Sequence, residues 1–164
     1  MMWDKVVRFT HWSVAMLFLA NYAITEEGSI VHQWVGYTLI GLVLVRLIWG
    51  LIVNSPARLS AIRPSPSMAI EHLIEVFETR KDHHEGHNPA GAVMIWCMWC
   101  GLMVTGITGY LAYSEQLLDM EWMESIHEVA ANVTFICVCI HVGAVALMTR
   151  LTGKAYLKSM GIGR

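Results

Sequence analysis

Charge is what this chain has least of. Asp, Glu, Lys and Arg make up 15% of its 164 residues, where soluble domains carry about a quarter. The hydrophobic share is 55%, and residues 90–113 run for 24 positions without a single charge. Such a composition excludes a soluble globular domain and describes an integral membrane protein. Cysteine is scarce as well: Cys97, Cys100, Cys137 and Cys139 all sit in apolar runs, so they read as packing residues and give no disulfide framework. No small-residue cleavage site follows the first apolar run, which is therefore expected to be a retained anchor. With a formal net charge of -2, the chain lacks the basic surface that nucleic acid requires. There is no internal repeat and no low-complexity tract, and residues 1–164 read as one domain.

What is present is four apolar stretches, at about residues 6–24, 31–53, 90–113 and 126–149. Each approaches the ~20 residues a helix needs to cross a bilayer. The period-2 alternation of a membrane barrel is missing, so the expected fold is an all-α integral membrane four-helix bundle. Basic residues orient it. If both termini share a side, that side collects ten of the eleven Lys and Arg, leaving only Arg46 inside the second stretch. The opposite loops hold Glu26, Glu27, Glu115, Asp119, Glu121, Glu124 and Glu128 with no base. The positive-inside rule then puts both termini in the cytoplasm of a multi-pass protein.

The long cytoplasmic connection, residues 54–88, begins with Pro56, Pro64 and Pro66, which keep it out of helix. Ile70, Leu73, Ile74 and Phe77 then fall at helical spacing among Glu71, Glu75 and Glu78. That pattern predicts a short amphipathic helix between the second and third spans, lying on the membrane surface or under the bundle. Asn88-Pro89 reads as the cap and first residue of the third span. Trp3, Trp12, Trp34 and Trp122 fall near span ends, as interfacial residues do.

Four histidines lie in the apolar stretches: His11, His32, His127 and His141. The last two share the fourth stretch, fourteen residues apart, which on a helix is about 21 Å and within roughly 40° of a whole number of turns. They point off one face at two depths. On the expected topology His11 is level with His141, and His32 with His127. Two pairs of neutral imidazoles at two depths suit bis-histidine haem iron better than zinc, which takes four convergent ligands. Ionisable groups are costly in a membrane interior and are functional candidates there. Gly36, Ala131 and Cys137 each lie one turn from a ligand candidate and remove bulk where a flat macrocycle would rest. Arg46, fourteen residues after His32, shares its face at the cytoplasmic level, placed either to pair with a haem propionate or to snorkel to the interface. Cys97-Met-Trp-Cys100 is followed by Gly101 and not His, so the covalent attachment motif is missing and two non-covalent b-type haems are expected. The tract Asp82-His83-His84-Glu85-Gly86-His87 could hold a divalent metal, but a solvated loop is the plainer expectation.

Trp3-Asp4, Arg8-Phe9-Thr10-His11-Trp12, His32 with Gly36-Tyr37, Arg46-Leu47-Ile48-Trp49-Gly50 and Gly86-His87-Asn88-Pro89-Ala90-Gly91-Ala92 together resemble the bacterial cytochrome b561 family. That family includes the b-type cytochrome subunits of nickel-iron hydrogenases. The resemblance covers nearly the whole chain. It implies four spans and two b haems, with His11 and His141 on one and His32 and His127 on the other. The closing Lys158-Ser159-Met160-Gly161-Ile162-Gly163-Arg164 resembles the tail of members associated with periplasmic c-type cytochromes.

Iron with two His ligands has no open position for dioxygen. The expected function is therefore electron transfer across the bacterial inner membrane, between quinone and a periplasmic c-type cytochrome or a membrane-bound oxidoreductase subunit. Superoxide oxidation coupled to quinone reduction is the enzymatic alternative, disfavoured because acidic external loops repel an anion. A haem-free proton or metal transporter is a third.

Overall fold

The structure, a computed structural model, describes residues 3–84, 86–114 and 122–161. Glu85, the loop acids Glu115, Asp119 and Glu121, and the tail residues Ile162, Gly163 and Arg164 lie outside them. The described residues are helical with no strand, in the order α1 (Lys5–Ala23), α2 (Ile30–Ile52), α3 (Pro66–Thr79), α4 (Pro89–Ser114), α5 (Trp122–Thr152) and α6 (Tyr156–Ser159). A single 3-10 turn, Leu59–Ala61, interrupts the proline-rich connection.

Local chemistry sets the helix ends. Asp4 caps α1 by accepting from Val7 N at 2.9 Å, and Ser29 caps α2 by accepting from His32 N at 3.1 Å. Ser65 stands before Pro66 at the start of α3. Asn88 accepts from Gly91 N at 2.7 Å, with Pro89 as the first residue of α4. These side chains satisfy amide groups that the first helical turn leaves without partners. Gly153, at φ +70°, ends α5 in the left-handed conformation that glycine adopts at no steric cost.

Three of these helices, α2, α4 and α5, are long and apolar enough to cross a membrane. The 19-residue α1 opens on Lys5 and Arg8. At 31 residues α5 is about 46 Å long, more than the ~30 Å hydrocarbon core. It therefore runs past the apolar stretch at both ends, to Trp122 and Thr152, where Glu124 and Arg150 lie on helix rather than loop.

Phe18, Leu39, Val43 and Leu102 form the central core, with Val14, Trp99, Phe135 and Val138 packed around them. The apolar residues on the outside are as telling. Val45, Ile48 and Leu51 on α2 and Val129, Val133 and Ile136 on α5 are exposed, a continuous apolar surface of the kind that lipid covers. Cys97 and Cys100 face outward too, so they do not pack the interior.

Glycine decides how closely α4 approaches its neighbours. A Cβ on Gly101 would stand 2.7 Å from Thr134 Oγ1 of α5, and one on Gly106 would overlap the side chain of Ile40 on α2. Small residues let membrane helices meet backbone to backbone. By contrast, α5 lies close along α4, and α1 along α2, but neither α1 nor α2 runs its backbone closely along α5.

The connection folds back under the bundle. Arg46 Nη2 donates to Ala57 O at 3.0 Å, and Trp96 Nε1 donates to Ile62 O at 2.6 Å. The inward face of α3 is Ala69, His72 and Val76, while the Ile70, Leu73, Ile74 and Phe77 stripe is exposed and free to lie on a membrane surface. Both faces are apolar enough to be buried. The one ending in the small Ala69 and the compact Val76 fits against α4, and the bulkier one is left for the membrane surface.

Replacing Gly101 with Leu forces a side chain into Thr134, itself 1% exposed. Overpacking of this kind costs about 1–3 kcal/mol. The thermal unfolding midpoint of the detergent-solubilised variant should fall; an unchanged midpoint would contradict the close α4–α5 approach.

Candidate functional site

The histidines come together in two pairs. His11 on α1 faces His141 on α5 with ring centroids 6.4 Å apart, and His32 on α2 faces His127 on α5 at 6.1 Å. Each pair bridges helices whose backbones stand apart, so the imidazoles reach across the gap between α5 and the α1–α2 hairpin.

The protonation of two rings follows from their partners. His127 Nδ1 lies 2.9 Å from the Thr105 carbonyl of α4. A carbonyl only accepts, so Nδ1 carries the proton and Nε2 keeps a free lone pair. Gly109, one turn after Thr105 on the same face, makes this possible: a Cβ there would lie 2.8 Å from His127 Cε1. His32 Nδ1 lies 3.0 Å from Thr25 Oγ1. That hydroxyl is 2.9 Å from the backbone carbonyl of Asn21 and 2.9 Å from Asn21 Oδ1, both acceptors. Its one proton goes to Asn21, so His32 Nδ1–H donates to it, and Nε2 is again free. Partners that hold one imidazole nitrogen fix the aim of the other. His11 Nδ1 is buried with no hydrogen-bond partner among the described residues.

Arg46 is 7% exposed, so it does not snorkel. Its guanidinium lies 5.3 Å from the centre of the Trp99 ring, and Nη1 is buried with no partner among the described residues. Gly50 makes room for it: a Cβ there would sit 2.9 Å from Nη1. A Cβ on Gly36 would meet only Asn21 Nδ2, at 3.8 Å, so the space beside His32 is open.

Near the same end, His87 stacks on Trp3 with centroids 4.2 Å apart, and its Nδ1 is buried without a partner. Trp3 is 8% exposed and belongs to a small core with Val7 and Ala57 rather than to a headgroup belt. Trp34 and Trp122 do face outward. Burial, and then the Arg46 charge, push the His87 imidazole down to about 4.

The sequence did not point to Thr25, Asn21, Thr105, Gly109, Gly50 or His87 as members of this arrangement. Gly50 and His87 stood only within the motifs that resemble the family, and the glycine series on a helix without histidine, Gly101, Gly106 and Gly109, marks close approach without saying to what.

Helices long and apolar enough to cross a membrane, joined by two pairs of facing histidines, define a membrane protein with two candidate ligand pairs. The family model for prokaryotic cytochrome b561 matches residues 2–163, nearly the whole chain, and the chain belongs to that family. It is a b-type haem protein of electron transfer within the membrane. No curated protein and no solved structure matches the chain.

His87 also yields a pH prediction. Its imidazole titrates at about 4 in the folded protein against 6.5 when free. Above pH 6.5 both states are neutral and nothing changes. Below it the unfolded chain takes the proton first, so stability falls by roughly 3 kcal/mol before levelling off near the folded value. His87→Phe keeps the stack on Trp3 and removes this loss. Its acid unfolding should move to lower pH; an unmoved transition would contradict the burial.

Proposed function

We propose that the chain holds two non-covalent b-type haems, one between His11 and His141 and one between His32 and His127. On this reading α1, α2, α4 and α5 are four spans with both termini in the cytoplasm. Electrons pass between the membrane quinone pool and a periplasmic redox partner such as a c-type cytochrome.

The observation that carries the reading is the spacing of the rings. Two imidazoles that held one metal between them, each at about 2 Å, would have centroids about 6.3 Å apart. The separations of 6.4 Å and 6.1 Å fit that requirement in both pairs. So do the free Nε2 lone pairs on His32 and His127, and the unpartnered Nδ1 of His11.

When bound, b-type haem would supply a reversible one-electron iron couple, with the two histidine pairs as the residues that would hold it. The protein's part is to hold and insulate. Thr105 O and Thr25 Oγ1 keep the rings aimed, so little rearrangement accompanies a change of charge. The Phe18–Leu39–Val43–Leu102 core excludes water between the two levels. Arg46, buried with a spare Nη1, is suited to a haem propionate, which it would pair by a charge-assisted hydrogen bond. Neutral His87 beside it adds a donor without a second charge. At the far end Glu26, Glu27, Glu124 and Glu128 are exposed and offer a basic partner a complementary surface.

Purified protein should be red, with two low-spin haems per chain. His11→Ala and His141→Ala should each remove the same haem, and His32→Ala and His127→Ala the other, as read from haem-to-protein ratios and redox titration. If His11→Ala and His32→Ala abolished the same centre, the pairing would be wrong. A well-folded, colourless wild type would end the reading altogether.

A further inference from the structure

A second histidine cluster lies on the side of the termini, away from both pairs. It joins His72 on α3 to Asp82 and His84 in the segment leading to α4. One ligand atom from each lies within 4.8 Å of the others. His72 is 3% exposed, and both its ring nitrogens are buried with no hydrogen-bond partner among the described residues. An imidazole has at least one donor and, when neutral, one acceptor. Leaving both unmade inside a protein is costly, so a group in this state usually has a further partner.

The carboxylate next to it is held from several directions. Asp82 is 1% exposed in its side chain. Its Oδ2 accepts from Tyr156 OH of α6 and, at 3.1 Å, from Asn88 Nδ2 at the start of α4. Lys154 Nζ lies 3.6 Å away. Oδ1 accepts from the His84 amide at 3.0 Å and lies 3.2 Å from His84 Nδ1. The His84 ring stands edge-on to His72, centroids 4.7 Å apart. One oxygen is thus anchored while the other lies against the His84 imidazole, the outer-partner pattern found around metal ligands.

We propose that His72, Asp82 and His84 bind a divalent transition-metal ion, with Zn²⁺ the chemistry that fits best. Two imidazoles and a carboxylate without thiolate form a borderline set, suited to zinc with water in the fourth position. Magnesium and calcium are disfavoured because they take oxygen donors. A cleft of ≈ 160 Å³ reaches His72 and His84 between Met68 and Pro89, and Glu71 and Glu75 line it. It gives a cation an entry path past two negative charges. An ion there ties α3 to the segment that opens α4 and, through Tyr156, to α6. On binding, the ion replaces the His84–Asp82 hydrogen bond, and any imidazolium proton leaves to solvent.

The test uses the full-length haem-loaded protein, stripped with chelator and dialysed against Zn²⁺. Bound zinc is counted by elemental analysis and haem by its absorption spectrum. About one zinc per chain is expected at micromolar free metal, and His72→Ala and His84→Ala should each weaken it at least tenfold. The exposed His83 serves as control, since His83→Ala should bind as wild type does. Haem content should hold in every variant, which separates this site from the haem assignment. Zinc K-edge absorption on the wild type, independent of any variant's folding, should report imidazole nitrogen and carboxylate oxygen at about 2.0–2.1 Å. No stoichiometric zinc, sulfur in the zinc shell, or wild-type affinity in both His72→Ala and His84→Ala would overturn the proposal.

Discussion

The bond from His127 Nδ1–H to the Thr105 carbonyl is the contact on which the arrangement most depends. In an apolar interior an imidazole with an idle N–H is expensive, and a main-chain oxygen is the one acceptor that cannot rotate away. Donating to it leaves Nε2 with a free lone pair, with the ring held by a rigid helix 6.1 Å from His32, centroid to centroid. The same solution recurs across the gap, where Thr25 passes its own proton back to Asn21 and accepts from His32. Two rings from different helices are thereby aimed at each other by groups that sit behind them.

That contact accounts for the role of α4, which has no histidine or charge in its apolar body. Gly109 lacks the Cβ that would collide with His127, Gly101 admits Thr134, and Gly106 admits Ile40. Each missing side chain lets α4 press against its neighbours, while α1 meets α5 through side chains such as Tyr22 stacked on Phe135. The bundle is therefore uneven by construction: tight where α4 lies, open where α5 faces the paired histidines. In an evenly packed bundle, α5 would sit too close to α1 and α2 for the paired rings to keep centroid separations of 6.4 and 6.1 Å.

Much of this was legible in the sequence because it depends on local counting. Apolar run lengths located the four long helices to within a few residues, and the fourteen-residue spacing put His127 and His141 on one face. The Asn88-Pro89 cap was legible for the same reason. What escaped depends on partners distant in the chain. Arg46 looked able to snorkel because nothing nearby in sequence announces that Ala57 and Trp99 will enclose it. Which face of α3 turns inward was not legible, because two apolar faces compete and only the surface of α4 decides between them. His72 was invisible as a member of any cluster, since Asp82 and His84 reach it only after the connection folds back beneath the bundle.

One helix serves both histidine pairs, and this constrains the protein more than either pair alone. His127 and His141 are held about 21 Å apart by the rise of α5, with no loop between them to absorb a change. His11 and His32, in contrast, are joined by a turn at residues 24–29 and can settle independently. A single residue inserted between His127 and His141 would swing one ring by about 100° and carry it off the face its partner occupies. The geometry of both levels is therefore set by α5, and the α1–α2 hairpin and α4 adapt to it.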